Sequence, residues 1–316
     1  MTQAPVVSII TPVYNGERFI AETIDSILNA EIVVPFEYLV LNDGSSDKTL
    51  DILAMYGSRI RTISHENRGE SATVNSGIEN ANGKYILIVS ADDPLLTGDL
   101  INQAVSKLEV NNSIVALYPD WQIINEIGET LKINILPEYS DEIMIGRCRC
   151  LPGPGVVFRK DAAIRIGGRR QKWKFVGDYD FWLRLSREGT IERLPGVLAQ
   201  WRNNQESTSI SQRGARMAAD RIEVIEEFVS EYDLPNSLSR KALGNAYYMA
   251  ARLAFFDSKI KGRKLLIKSF YFRQGWPEEA KLHIVLYLIL TPLSSILMNS
   301  FPRIKSRIIE ADSQRT

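Results

Sequence analysis

The sequence predicts an α/β domain with a mostly parallel central sheet and flanking helices, followed by a C-terminal helical tail. Three observations lead there. Over the first 120 residues, short β-branched runs alternate with segments of helical period, as when strands are joined by crossover helices. Each of the strands so identified runs into a polar turn rich in Asp, Asn, Ser or Gly. Beyond residue 212 the apolar spacing is helical only.

Val6 to Thr11 is the first, buried strand. Ile20, Ile24, Ile27 and Leu28 then recur at i, i+4, i+7 and i+8, which makes one apolar helix stripe. Tyr38 to Leu41 is the second strand, and Leu50 to Met55 belongs to a second helix that Ser46 or Asp47 can cap. A third helix spans Glu70 to Ala81. Tyr85 to Val89 is a near-continuous apolar run, so it is expected at the sheet centre, covered on both faces. In the tail, Ile222, Ile225 and Val229, then Leu238 to Phe256, then Ile260 to Phe270, carry the helical pattern. The boundary falls between Ser207 and Arg213, giving an α/β domain over 1–212 and a helical region over 213–316, with no internal repeat.

The chain has 316 residues, 45% hydrophobic and 24% charged, which excludes disordered, collagenous and low-complexity classes. Cys148 and Cys150 are its only cysteines, too few for a disulfide framework and without the histidines of a zinc site. A reducing cytoplasm is the expected compartment, and the short apolar stretch Val6 to Ile10 is no secretion signal. The zero net charge hides an asymmetry. Between Lys259 and Arg307, ten basic residues face two acidic ones, Glu278 and Glu279. Apolar residues interleave these charges, so an anionic lipid surface at the inner leaflet is the expected partner, and nucleic acid is not. Ile284 to Met298 is apolar over 15 residues and contains Pro292. A bilayer crossing needs about 20 residues, so this segment lies in the interface or packs on the catalytic domain.

In open α/β sheets, ligands bind beyond the carboxyl ends of the strands. Those positions hold Thr11-Pro12-Val13-Tyr14-Asn15-Gly16, Asn42-Asp43-Gly44-Ser45-Ser46-Asp47 and Ser90-Ala91-Asp92-Asp93-Pro94. Asp92 and Asp93, adjacent at a strand end, can hold a divalent cation that grips a diphosphate, or can form an ordinary Asp-Asp-Pro turn. The acceptor-only carboxylate of Asp43 suits the imide N–H of uracil or thymine, or the N–H donors of guanine. Asp47 reads as a helix cap. Neither a P-loop nor a Gly-x-Gly-x-x-Gly fingerprint is present.

With Asn67-Arg68-Gly69 and Asn75, these motifs resemble those of the family 2 glycosyltransferases over residues 6–205. The resemblance implies the GT-A fold, which is Rossmann-like, a nucleoside-diphosphate sugar donor, a Mn²⁺ or Mg²⁺ ion and transfer with inversion. It implies that Thr11, Pro12, Tyr14, Asp43 and Asn75 belong to the nucleotide site. Asp92 would touch the ribose or the metal, and Asp93 the metal and diphosphate. Family members often carry Asp-x-Asp here, whereas this chain has Ser90 at the first position, so the choice of ligand between Asp92 and Asp93 stays open.

Asp178, in Val176-Gly177-Asp178-Tyr179-Asp180-Phe181-Trp182, reads from its position as a helix cap. By resemblance it matches the catalytic base, with Gly177 in place of the usual Glu. Both roles can coexist. Trp201-Arg202-Asn203-Asn204 stands where the family commonly has Tyr-Arg-x-His, so Arg202 is expected to meet the diphosphate with its fork of donors. Without the imidazole, a second metal ligand from this loop is not expected. Leu151-Pro152-Gly153-Pro154-Gly155 reads either as a turn or as lining for the acceptor. His65 reads as a strand-end residue, His283 as part of the tail, and Trp173, Trp182 and Trp201 as core.

The expected activity is transfer of a sugar to a hydroxyl of a carbohydrate or lipid-linked acceptor, in cell-envelope polysaccharide or glycolipid synthesis. Two alternatives are a sugar nucleotidyltransferase and a non-catalytic nucleotide-sugar-binding scaffold. No Gly-rich Lys/Arg signature follows the first strand, which argues against the former, and the presence of Asp178 beside Asp92-Asp93 argues against the latter.

Overall fold

The computed structural model describes residues 4–173, 175–204 and 215–273. The chain divides into two compact units at Ser211/Gln212, with the internal segment Ser140–Cys150 belonging to the second.

The first unit is built on one mixed sheet. Its parallel half holds β1 (Val7–Val13), β2 (Phe36–Asp43), β3 (Arg61–His65) and β4 (Tyr85–Ile88), in the order β3-β2-β1-β4. The registers Ile10↔Leu39 and Ile10↔Ile88 place β1 between two parallel neighbours. Its Val7, Ile9 and Ile10 are fully buried, as an apolar strand covered on both faces must be. The crossover helices are α1 (Ile20–Leu28), α2 (Thr49–Met55) and α3 (Glu70–Asn80). Ile20, Ile24 and Ile27 of the α1 stripe are buried, as their spacing requires.

After α4 (Asp99–Val110) the sheet changes hand. β7 (Val157–Arg159) pairs antiparallel with β4 and with β5 (Ile114–Ile124). β6 (Thr130–Asn134) pairs antiparallel with β5, and β8 (Thr190–Arg202) pairs parallel with it. The sheet is thus mixed: the three-residue β7 runs against both β4 and β5, and beyond it β5 and β8 again pair parallel. The helices α5 (Lys160–Arg165) and α6 (Gly177–Leu185) flank β7 and β8 in the chain. Phe158 of β7, Phe181 and Trp182 form an edge-to-face cluster, with centroids 4.8 to 5.6 Å apart, that seats α6 on the sheet. Each such pair contributes about 0.5–1.5 kcal/mol beyond its buried area.

In the second unit, α7 (Ala215–Glu231), α8 (Asn236–Asp257) and α9 (Lys259–Arg273) pack with a π-helical turn at Glu142–Gly146. Asn245 Nδ2 donates to the Gly146 carbonyl at 2.6 Å, Lys241 pairs with Glu142, and the Cys148 thiol donates to the Ala242 carbonyl. α8 and α9 are joined by a Ser269 Oγ bond to the Gly244 carbonyl. Among the described residues no helix is long and apolar enough to cross a membrane. His283, the apolar run Ile284–Met298, the boundary segment Ser207–Arg213 and the basic positions beyond Arg273 lie outside the described residues.

Candidate active site

Parallel pairing brings the carboxyl ends of β1, β2, β3 and β4 to one edge of the sheet, with Val13 beside Asn42 and Asp43 beside His65. The turns after β1 and β2 are laced together. Asn15 sits at φ 51°, a conformation Asn tolerates, and its Oδ1 accepts from Ser46 N while its own N–H donates to Ser45 Oγ. Gly16 N donates to Thr49 Oγ1, Glu17 N to Asp47 Oδ2, and Lys48 N to Glu17 Oε2. Burial alone would raise the Asp47 carboxyl, but the Thr49 hydroxyl and the N–H groups of Glu17 and Thr49 hold it below its ordinary value. Asp47 therefore works as a turn fastener. Tyr14, 55% exposed, and the half-buried Pro12 border the open side of these turns.

Asp43, at the end of β2, is buried and accepts from Arg68 N at 2.8 Å and Gly69 N at 3.0 Å, with His65 Nδ1 at 3.3 Å. It fixes the Asn67-Arg68-Gly69 turn against the strand end. Gly44 is required beside it, because its φ is +72° and a Cβ there would lie 2.6 Å from Asn67 N.

The turn after β4 presents its two acids differently. Asp93 is 6% exposed and points inward, where Oδ1 accepts from Arg202 N at 2.7 Å. Burial, and then the neighbouring Asp92 charge, push its carboxyl up to about 8. Asp92 is the half-buried, accessible member. Burial raises it too and the Glu70 charge adds to the rise, while Asn204 and Arg202 act in the opposite direction. Asn204 Nδ2 donates to Asp92 Oδ2 at 2.5 Å.

α6 carries the remaining acid. Asp180 is buried on Arg184, whose Nε and Nη2 reach Oδ2 at 2.9 and 2.7 Å, and Arg184 also donates to the carbonyls of Ile166 and Gly168. This tie fixes the roll of the helix and leaves Asp178 exposed in its first turn, with Oδ1 accepting from Tyr179 N at 2.7 Å. The start of α3 approaches both acidic turns: Glu70 acts electrostatically on Asp92, and Ser71 Oγ would lie 3.1 Å from a Cβ on Gly177.

Four of the residues expected at the site have side chains engaged within the fold. Thr11 is fully buried and shares a hydrogen bond with Tyr38 OH at 3.0 Å, so its side chain serves the core and not the nucleotide pocket. Asn75 is committed to Arg169, accepting from its N–H at 2.7 Å and donating to its carbonyl at 2.8 Å. Asp93 is turned away from the cleft. Arg202, 1% exposed, donates to the carbonyls of Asp92, Asn125 and Glu126 and to Glu22 Oε1, and its guanidinium stacks over Phe19 at 4.7 Å. Sequence reasoning missed Glu70 and Arg169, paired at 2.7 Å, and it dismissed Asn204 for lacking an imidazole.

The described residues contain no cluster of three His, Cys, Asp or Glu side chains able to hold a metal ion. The donor set on offer is lean, the Asp92 carboxylate beside the Asn204 amide. The Asn204 Oδ1 is buried without a hydrogen-bond partner among the described residues. Such a set fits a hard cation that completes its shell with water and phosphate oxygens.

A half-parallel sheet with acidic turns at the ends of β2 and β4, and an exposed aspartate on the first turn of α6, defines an α/β domain of the GT-A class. The family model described as glycosyl transferase family 2 matches residues 8–152, and the chain belongs to that family. An uncharacterized glycosyltransferase of Haemophilus influenzae is 30% identical over 235 residues, which cover 66% of this chain and 69% of that protein. Another, from Rickettsia typhi, is 32% identical over 203 residues, 60% of this chain, and the match spans only 61% of that relative's length. Among solved structures, residues 1–349 of S. aureus TarS in complex with UDP-GlcNAc superimpose with a TM-score of 0.66 at 18% identity, over 86% of this chain and 82% of that one. That likeness is one of fold.

Proposed function

We propose that this protein transfers a sugar from a nucleoside-diphosphate sugar to a hydroxyl of a carbohydrate or lipid-linked acceptor, inverting the anomeric centre. The observation that carries the reading is a pair of acids each linked to the start of α3, Asp92 on the turn after β4 through Glu70 and the exposed Asp178 of α6 through the Ser71–Gly177 approach. Asp43 receives the base and Tyr14 and Pro12 border it. Asp92 holds Mn²⁺ or Mg²⁺, an ion that supplies charge neutralisation for the departing diphosphate. Asp178 accepts the proton of the attacking hydroxyl as the new glycosidic bond forms, and the helix tie through Asp180 and Arg184 keeps it aimed. TarS, solved with UDP-GlcNAc, supports a nucleotide-sugar donor.

The test is Asp178→Asn, which preserves shape and removes the base. Donor binding stays near wild type, while single-turnover transfer falls by about 10²–10⁴, the usual worth of a general base. Unchanged turnover would end the assignment.

The protein works at the cytoplasmic face of the inner membrane, in envelope polysaccharide or glycolipid synthesis. Support comes from α9, where Lys261, Arg263, Lys264 and Lys268 lie among Ile260, Ile267, Phe270 and Tyr271, all four of them exposed. That mixture suits an anionic interface. Liposome flotation checks it: the full chain floats with anionic vesicles, and replacing those four basic residues by Gln releases it. Equal flotation of both proteins refutes the membrane claim.

A further inference from the structure

Asn204 is 4% exposed, and its two polar atoms are treated differently by the fold. Nδ2 donates to Asp92 Oδ2, while Oδ1 is buried and unpartnered among the described residues. A buried carbonyl oxygen without a partner is rare in folded proteins and asks for an explanation. The backbone leading to it is held firmly. Arg202 N bonds Asp93 Oδ1 and Arg202 Nε bonds the Asp92 carbonyl, so the end of β8 is pinned to the acidic turn. The surroundings are acidic as well. Asp92 carries the hydrogen bond, Asp93 lies behind it, and Glu70 acts on Asp92 from the start of α3. The Arg202 guanidinium directs its hydrogen bonds to three carbonyls and Glu22, and its charge favours the ionised, cation-binding form of Asp92. An unpaired carbonyl oxygen beside a carboxylate, in an acid-rich corner, supplies part of a hard-cation shell that water and phosphate oxygens can complete.

We propose that Asn204 Oδ1 is a cation ligand alongside Asp92, and that this oxygen-only pair sets the metal selectivity of the site, keeping Mg²⁺ competitive with the later transition metals. The inference rests on the metal-dependent reading above and adds to it the ligand and the preference that follows. Carboxylate and carbonyl oxygens suit Mg²⁺, Ca²⁺ and Mn²⁺, whereas an imidazole at this position would favour Co²⁺, Ni²⁺ and Zn²⁺. Asn204 therefore acts as a selectivity residue through the atom it coordinates with.

The test uses the full-length protein and Mn²⁺ alone. Bound Mn²⁺ is measured by loss of the free-ion electron paramagnetic resonance signal, then displaced by Mg²⁺ or Co²⁺. Asn204→Ala weakens Mn²⁺ at least about tenfold, the lower end for losing a group that supports a metal site. Asn204→Asp, which keeps an oxygen and adds charge, binds at least as tightly as wild type. Asn204→His shifts the Co²⁺-to-Mg²⁺ preference at least about tenfold towards Co²⁺, and it introduces nitrogen-14 modulation in the Mn²⁺ spin-echo spectrum that wild type lacks. Asp92→Asn is the control. If Asp92→Asn abolishes binding while both Asn204→Ala and Asn204→Asp leave affinity and preference unchanged, Asn204 is no ligand and the metal reading survives. If Asn204→Asp weakens Mn²⁺ as Asn204→Ala does, the residue merely props Asp92 through Nδ2, and the inference is overturned. If wild type binds no Mn²⁺, the metal reading falls and this inference with it. Thermal melting of each variant establishes folding, and the Asp and His variants carry the test should the Ala variant fail to fold.

Discussion

Removing the Arg202 guanidinium decides between its two assignments, a diphosphate contact or an internal tie. In the fold, Arg202→Ala strips a donor from the carbonyls of Asp92, Asn125 and Glu126 at 2.8, 3.2 and 2.7 Å, and from Glu22 Oε1 at 2.7 Å. Glu22 is half exposed and regains water cheaply. The three carbonyls are less accessible, and each orphaned buried acceptor costs about 1–3 kcal/mol. Taking the low end for each, and adding the lost stacking on Phe19, the variant should lose about 3–5 kcal/mol, the range for breaking a buried ionic tie. For a domain of this size that is a fall of about 6–20 °C in Tm, at about 2–4 °C per kcal/mol. Urea unfolding followed by tryptophan fluorescence measures it, and Arg202→Lys should recover only part, because an ammonium cannot span the same carbonyls. Stability within about 1 kcal/mol of wild type, together with a large loss of nucleoside-diphosphate affinity, would refute the internal-tie assignment and restore Arg202 to the substrate; the 1 kcal/mol margin is the size of one ordinary hydrogen bond.

Gly168→Ala should destabilise by about 2 kcal/mol or more, since φ is +68° and the new Cβ would meet Asn75 Oδ1 at 2.5 Å; differential scanning calorimetry reads the loss. Asp120 titrates below its ordinary value, because the fork from Arg193 and the N–H groups of Leu136 and Gly196 outweigh the opposing effect of burial. Below the ordinary Asp value of about 4 the unfolded chain then binds the extra proton, so this stabilisation is complete above that pH and is lost as pH falls through the folded value. Asp120→Asn should therefore be less stable at pH 7 and show a shallower acid limb in chemical denaturation at stepped pH. An unchanged acid limb would mean Asp120 is not the group that titrates.

The parallel half of the sheet was legible because its strands are apolar runs ending in polar turns, and β1, β2 and β4 lie where those runs lie. The half beyond β4 was not. β7 has three residues and shows no period, and β8 contains Pro195-Gly196, which breaks its alternation at a register shift opposite β5. The Ser140–Cys150 segment pairs with residues about a hundred positions away, such as Asn245 with Gly146, and local pattern carries no trace of that. At the site, the acidic turns were visible, but their orientation was not. Sequence names an arginine without saying whether its fork meets a phosphate or three carbonyls. The Asn75 and Arg169 clamp joins residues 94 positions apart through a backbone amide that any residue supplies. Asn204 was set aside for lacking an imidazole, and the burial of its Oδ1, unpartnered among the described residues, leaves no mark in the sequence.

The turns after β1 and β2 exchange side chain for backbone reciprocally, Asn15 with Ser45 and Ser46, and Glu17 with Asp47 and Lys48. They consequently form one graftable cassette. Transplanting residues 14–17 or 45–49 singly into another scaffold strands the complementary half of every bond. Moving them together carries the whole knot intact, so any recombination that retunes base recognition must cut outside both segments.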